Sequence, residues 1–387
     1  MSVTAAEGFV ASGLHAGIKK ARPDMALLAT EDRQPVACAA VFTQNLFCAP
    51  PVQLNRALLE ANGGRAAAVI VNSGNANAGT GERGMADARA MGSAAAEALG
   101  IGPGDVLVCS TGIIGTPLPI DVILPAVPAL AGSLSREGGS MAAEGILTTD
   151  KVVKEVVFCG EGWTLGGMAK GCGMIAPNMA TMLAFLTTDA DIPRETLQAM
   201  LKAASDASFN TLNVDGATST NDTAMLFASG RKGPPTDLDA FARGVEEACR
   251  ELTMNMARDA EGMTRIAHLT ITGAASETEA RVAAKAIAEN NLVKCSWYGA
   301  DPYWGRLLAA AGSAGVAMAV ERTAVLYGGI KVAEGGVRID HDAQALTEHM
   351  LGTEFAIEVH LGAGSASARV IGIDLGPGYI KENSVTS

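Results

Sequence analysis

Glycine constrains this chain more than any other residue type: it supplies 45 of the 387 residues, about 12% against a usual 7% or so. Aromatic residues make up only 4%. With large rings scarce and Ala, Val, Leu and Met plentiful, a core has to be built by close approach of backbones. A hydrophobic share of 48% excludes disorder, and the length suggests about two or three domains.

The balance of 29 Lys+Arg against 41 Asp+Glu leaves a net charge of −12. Without basic clusters there is no electrostatic footprint for DNA or RNA, so nucleic acid is not an expected partner. Residues 1–10 show no basic region followed by an apolar stretch, and the bland segment 307–320 is too short to span a bilayer. The expectation is a soluble cytoplasmic protein with no membrane partner. Seven cysteines scattered at 38, 48, 109, 159, 172, 249 and 295 read as buried thiols rather than a disulfide framework.

Short apolar runs bounded by Gly, Pro, Asn or Asp predict strands at 36–42, 67–71, 106–109, 152–158 and 182–187. Helical periodicity predicts helices at 83–99, closed by Gly100, at 194–209, and from Leu238 to about Met256. Past Gly273 the pattern restarts. Ser276 and Glu279 stand at capping-box spacing, followed by a strand near Leu292, a short helix after Trp304, and strands at Ala324, Phe355 and Val370. Two domains are therefore expected, 1–273 and 274–387. Clustered strands and a hairpin-like turn at 333–336 favour α+β layers over one parallel sheet.

Several chemistries find no support. Lys170 sits in a glycine-rich stretch, yet no Lys-Ser/Thr pair follows to make a phosphate loop. The five histidines form no H-E-x-x-H and no two cysteines a C-x-x-C, so no metal is expected. No G-x-S-x-G elbow exists. What remains is a set of polar segments beside apolar runs: Asn72 to Asn77, Ser110 to Gly112, Thr148 to Asp150 and Thr218 to Thr223. Any one of them reads as a cap or turn. Together they suggest a cleft.

The run from Lys170 through Gly171-Cys172-Gly173-Met174-Ile175-Ala176-Pro177-Asn178-Met179-Ala180-Thr181 to Leu183 resembles the signature of the ornithine acetyltransferase (glutamate N-acetyltransferase) family of self-cleaving N-terminal-nucleophile enzymes. The resemblance continues through Gly17 to Lys20, the polar segments above, Phe209-Asn210, Arg258 to Gly262, Gly299 to Pro302, Trp304 to Arg306 and the tail around Tyr379 to Ser384. It spans essentially the whole chain.

The resemblance implies an αββα sandwich with a smaller C-terminal α/β domain whose tail returns to the active site. It implies scission between Ala180 and Thr181, giving two polypeptides that assemble as a heterotetramer of two α and two β fragments. Thr181 is then the nucleophile, with its freed α-amine as base. Thr111 and Gly112 form the oxyanion hole, and substrate is bound by Thr148, Lys170, Thr181, Glu261, Asn383 and Ser387. The implied reaction moves acetyl from N-acetylornithine to glutamate through an acetyl-threonine, without a cofactor. Acetyl-CoA as a second donor stays open.

Three positions depart from the family pattern: Ala217 replaces an Asp, Tyr303 replaces an Asn, and the chain stops at Ser387, one residue short of the usual terminal hydroxyl. These departures keep in view a paralogue acting on a related N-acyl amino acid; an amidase or aminopeptidase of the same fold group and an uncleaved binding or scaffold protein are the other competing readings.

Overall fold

The computed structural model describes residues 2–176 and 182–384. Ala180, Thr181 and Ser387 lie outside the described residues. Two sheets stack in the N-terminal part. The first runs in the order Phe9–Leu14, Met25–Thr30, Ala68–Asn75, Val106–Ile113. The second runs Arg65–Ala66, Val36–Phe42, Thr223–Ala228, Leu183–Thr188, Trp163–Lys170, Lys154–Gly160. Its two central strands, Thr223–Ala228 and Leu183–Thr188, are parallel, and Leu183–Thr188 pairs antiparallel with Trp163–Lys170, Leu183 opposite Lys170.

Both central strands are buried along their length, which is why they read as unbroken apolar runs rather than alternating ones. Phe9, Leu28, Val71, Phe185, Met225 and Phe227 fill the space between the sheets. Helices Gly81–Leu99 and Ile120–Gly132 cover the outer face of the first sheet. Helices Arg194–Ala207 and Leu238–Arg258 cover the second. The layers are therefore α, β, β, α, as expected. Close backbone approach is visible at Gly166, where a Cβ would fall 2.1 Å from the carbonyl oxygen of Ser2.

The C-terminal unit is built on a seven-stranded sheet in the order Leu212–Asn213, Ala366–Ile373, Ile266–Ala274, Glu354–His360, Ala324–Tyr327, Ile330–Glu334, Val337–Arg338. Helices Glu277–Glu289, Asn291–Tyr298 and Trp304–Gly312 pack on it around the fully buried Trp297. Gly273, where the division between the two domains is expected, lies inside the strand Ile266–Ala274 of this sheet. Gly273, which reads as a break, sits instead at a register shift between Ile271 and Ala274, the usual place for a glycine within a bulged strand. Ser276 caps the next helix, its Oγ accepting from the Glu279 N–H at 3.2 Å.

The strand expected near Leu292 is a helix. The Asn290 side chain accepts from the N–H groups of both Leu292 and Val293, and this N-cap overrides the β-preference of Leu-Val. The cysteines are all free, but they are not all buried: Cys159, at the end of the edge strand Lys154–Gly160, and Cys295 are exposed. Among the described residues no helix is long and apolar enough to cross a membrane.

Because Phe185 is fully buried between the sheets, Phe185→Ala is expected to cost about 3–5 kcal/mol. Urea unfolding followed by tryptophan fluorescence measures that loss directly.

Candidate active site

The polar segments at 72–75 and 110–112 are the ends of strands, not loops: pairing between Ala68–Asn75 and Val106–Ile113 runs on through Ser73 opposite Thr111 and Gly74 opposite Gly112. The backbone allows this only with glycine. Gly112 has φ +134°, and a Cβ there would stand 2.3 Å from the Gly74 carbonyl carbon. Thr111 and Gly112 thus line a cavity of about 480 Å³.

Lys170, the last residue of Trp163–Lys170, enters the same cavity. Its Nζ is 3.3 Å from Thr111 Oγ1 and 4.0 Å from Asp150 Oδ2. Asp150 is buried and accepts from Lys154 Nζ at 2.7 Å and from the Gly171 N–H at 2.7 Å. Lys154 Nζ also reaches Asp259 at 2.6 Å. Burial alone would push the Asp150 carboxyl up, but Lys170 and Lys154, helped by these hydrogen bonds, carry it well below the usual carboxylate range. The result is a buried row of alternating charge behind the cavity wall.

Glu261 lines the same cavity with both oxygens engaged by neutral donors. Thr149 Oγ1 donates to Oε1 at 2.7 Å and Asn383 Nδ2 donates to Oε2 at 2.8 Å. Among the described residues no cation pairs with it. Cys172 Sγ lies 4.0 Å from Oε1, and burial pushes this thiol up to about 12, so it is protonated at neutral pH.

Asn383 arrives on the C-terminal helix Pro377–Glu382, which is held by Tyr379 donating its hydroxyl to Asp215 at 3.2 Å. Asp215 also accepts from the N–H groups of Met174 and Ile175. One carboxylate therefore fixes both the tail and the backbone leading towards position 176.

Ser219, Thr220 and Asn221 form a further part of the wall. Asn221 Nδ2 donates to the carbonyls of Ala76 and Ser110, at 2.6 and 2.8 Å, tying both strand ends to this loop. Asp222 follows, fully buried. Its Oδ1 accepts from the Met182 N–H at 3.1 Å, while Oδ2 has no partner among the described residues. Burial pushes this carboxyl up to about 8.

Of the residues singled out from sequence, Thr111, Gly112, Thr148, Lys170, Glu261 and Asn383 line this one cavity. Ala180, Thr181 and Ser387 lie outside the described residues, although Met182, covalently next to Thr181, is anchored to Asp222 beside the wall. Ser384 is the tail hydroxyl found at the cavity. Of the departures, neither Ala217 nor Tyr303 is part of the lining. Ala217 uses only its N–H, donated to Asp215. Sequence reasoning missed Thr149, Asp215 and Asp222. Thr149 and Asp222 lay within segments already marked as polar, which was the available signal. Among the described residues no group of His, Cys, Asp and Glu could hold a metal ion.

Asp222 makes stability depend on pH in a definite direction. Its folded-state carboxyl binds a proton that the unfolded chain, with an ordinary value near ~3.9, has released, so stability present at low pH is lost as pH rises towards about 8. Asp222→Asn is therefore expected to gain melting temperature over the parent as pH goes from about 5 to about 8, measured on chains kept whole by Thr181→Ala. A gap that shrinks over that range contradicts the assignment.

A model of the ArgJ family matches residues 10–386 of this chain. The "Arginine biosynthesis bifunctional protein ArgJ" of Streptomyces coelicolor is 45% identical over 389 residues, covering all of both chains. The protein of that name from Chlorobaculum tepidum is 43% identical over 97% of this chain and 95% of its own. A crystal structure of ornithine acetyltransferase from Mycobacterium tuberculosis aligns with a TM-score of 0.41 at 40% identity, covering 46% of this chain and 94% of its own. With a family model matched almost end to end and full-length relatives at this identity, the chain belongs to the ArgJ family.

Proposed function

We propose that this chain is a glutamate N-acetyltransferase of arginine biosynthesis, moving acetyl from N-acetylornithine to glutamate through an acetyl ester on Thr181. The observation that carries this reading is one cavity lined by the hydroxyl-bearing Thr111 and by Gly112 together with a cation, Lys170, and an anion, Glu261, that has no cationic partner among the described residues. An N-acyl amino acid with a charged far end needs those features together. The names carried by the relatives agree with it.

Maturation comes first. Thr181 Oγ attacks the Ala180 carbonyl carbon, the C–N bond breaks, and the nitrogen keeps the proton the hydroxyl gave up. Water then hydrolyses the ester, leaving a carboxylate on Ala180 and a free amine on Thr181. That amine, ordinarily near ~7.7–8.0, takes the Oγ proton when the hydroxyl attacks the acetyl carbonyl.

The tetrahedral oxyanion is held by the Thr111 hydroxyl and the Gly112 N–H, donors worth about 10²–10³ in rate at comparable sites. Ornithine leaves with the amine's proton. The glutamate amine then attacks the acetyl ester, and N-acetylglutamate departs as Thr181 recovers its hydroxyl. Lys170 suits the α-carboxylate common to both amino acids. Glu261 suits the side-chain ammonium of the first, and Thr148 and Ser387 complete the substrate contacts. The two fragments remain together and assemble as a cytoplasmic heterotetramer.

Mass spectrometry of the purified protein tests the whole sequence of events. Two fragments, 1–180 and 181–387, are expected, with the second gaining one acetyl group on exposure to N-acetylornithine and losing it on addition of glutamate. Thr181→Ala is expected to stay one chain and carry no acetyl. Acetate released at the same rate with and without glutamate would instead establish an amidase. Parallel incubation with acetyl-CoA reads out a second donor.

A further inference from the structure

Lys170 stands where it can act on the oxyanion site as well as on a substrate carboxylate. Its Nζ is 3.3 Å from Thr111 Oγ1, and both side chains are almost wholly buried, with residue exposures of 2% and 3%. An ammonium carries only donors, whereas a threonine hydroxyl has one proton and two lone pairs. In this pair Lys170 must donate and Thr111 must accept. The hydroxyl proton is repelled from the lysine side and turns away from it.

Thr111 Oγ1 donates no hydrogen bond to another described residue, its one side-chain bond there being the one it accepts from Lys170, and Thr111 lines the cavity. The open direction for the O–H is therefore the cavity itself. A hydroxyl that already accepts a charged hydrogen bond is also a stronger donor, because polarisation passes along the chain of bonds.

The cluster behind the wall leaves Lys170 available for this. Asp150 is occupied at close range by Lys154, at 2.7 Å, and by the N–H groups of Gly171 and Thr148. It meets Lys170 only at 4.0 Å, beyond hydrogen-bond reach. Asp150 thus balances the lysine's charge without consuming its protons, and with three N–H bonds Lys170 can serve Thr111 and a bound carboxylate together.

We propose that Lys170 is the positioning residue of the oxyanion hole: by donating to Thr111 Oγ1 it turns the threonine proton into the cavity, towards the oxygen that becomes negative. The kinetic side of this role rests on the acyl transfer proposed above. The geometric side does not.

Two measurements separate them. Neutron diffraction from crystals of the wild-type protein exchanged into D2O locates the deuterons. A Lys170 deuteron on the line to Thr111 Oγ1, with the hydroxyl deuteron directed into the cavity, is the expected result. A hydroxyl deuteron pointing at a strand carbonyl, or a Lys170 with no deuteron towards Thr111, overturns the proposal.

The second is a double-mutant cycle on acetyl transfer, with kcat and KM determined separately. Thr111→Val is expected to lower kcat by about 100-fold and Lys170→Met by about 10-fold or more. The double variant should stay within about 3-fold of Thr111→Val alone, because both substitutions remove one device. A Lys170→Met that raises KM and spares kcat, or losses that multiply, overturns it. Should wild type fail to move acetyl from N-acetylornithine, the transferase reading falls and the deuteron positions still decide this one. The same holds if Lys170→Met does not fold.

Discussion

The arrangement of this site depends on a buried row of alternating charges, Lys170, Asp150, Lys154 and Asp259. Desolvating four charged groups is costly, and only their mutual attraction and the surrounding N–H donors offset it, so removing one member typically costs ~3–5 kcal/mol. Such a row is a poor source of stability and a good source of position. It ties the end of Trp163–Lys170, through the 148–154 segment, to Asp259, which also accepts from the N–H groups of Lys151 and Val152. Glu261 is two residues further along the chain. The cation and the anion of the cavity are consequently held to one rigid frame.

A second carboxylate does comparable work from the other side. Asp215 accepts from Met174, Ile175, Ala217 and Tyr379, so the backbone leaving Cys172 and the tail that delivers Asn383 share one anchor. Lys294, buried in the C-terminal unit, donates to the carbonyls of Val214 and Ile373, joining that anchor to the seven-stranded sheet. Burial draws this lysine down to about 8, while the neighbouring carboxylates of Asp215 and Asp374 oppose the shift. The C-terminal unit therefore contributes to the cavity mainly by holding the tail in place.

Much of the layered architecture was legible because it follows from local chemistry. Val36–Phe42 was bounded correctly by its apolar run, and Gly100, in the left-handed region, closes its helix as expected. Failures came where a non-local partner or a side-chain cap decided. The segments at 72–75 and 110–112 look like turns until Gly74 and Gly112 are seen to let two strands run together. Leu292 looks like a strand until Asn290 caps it. The site residues were named through the family resemblance, since nothing local reveals that Thr111 and Lys170, or Tyr379 and Asp215, will meet. Their separations of 59 and 164 residues leave no periodic trace.

The strand order of the second sheet has a mechanical consequence. Its neighbours alternate in blocks: Arg65–Ala66 and Val36–Phe42 precede position 176, Thr223–Ala228 and Leu183–Thr188 follow position 182, and Trp163–Lys170 and Lys154–Gly160 again precede. A backbone break between 176 and 182 would leave two pieces interleaved like clasped fingers, each supplying strands the other must hydrogen-bond. Neither piece could withdraw without dissolving the shared sheet, so nicked and whole molecules would sediment and scatter alike, and only a denaturant would tell them apart.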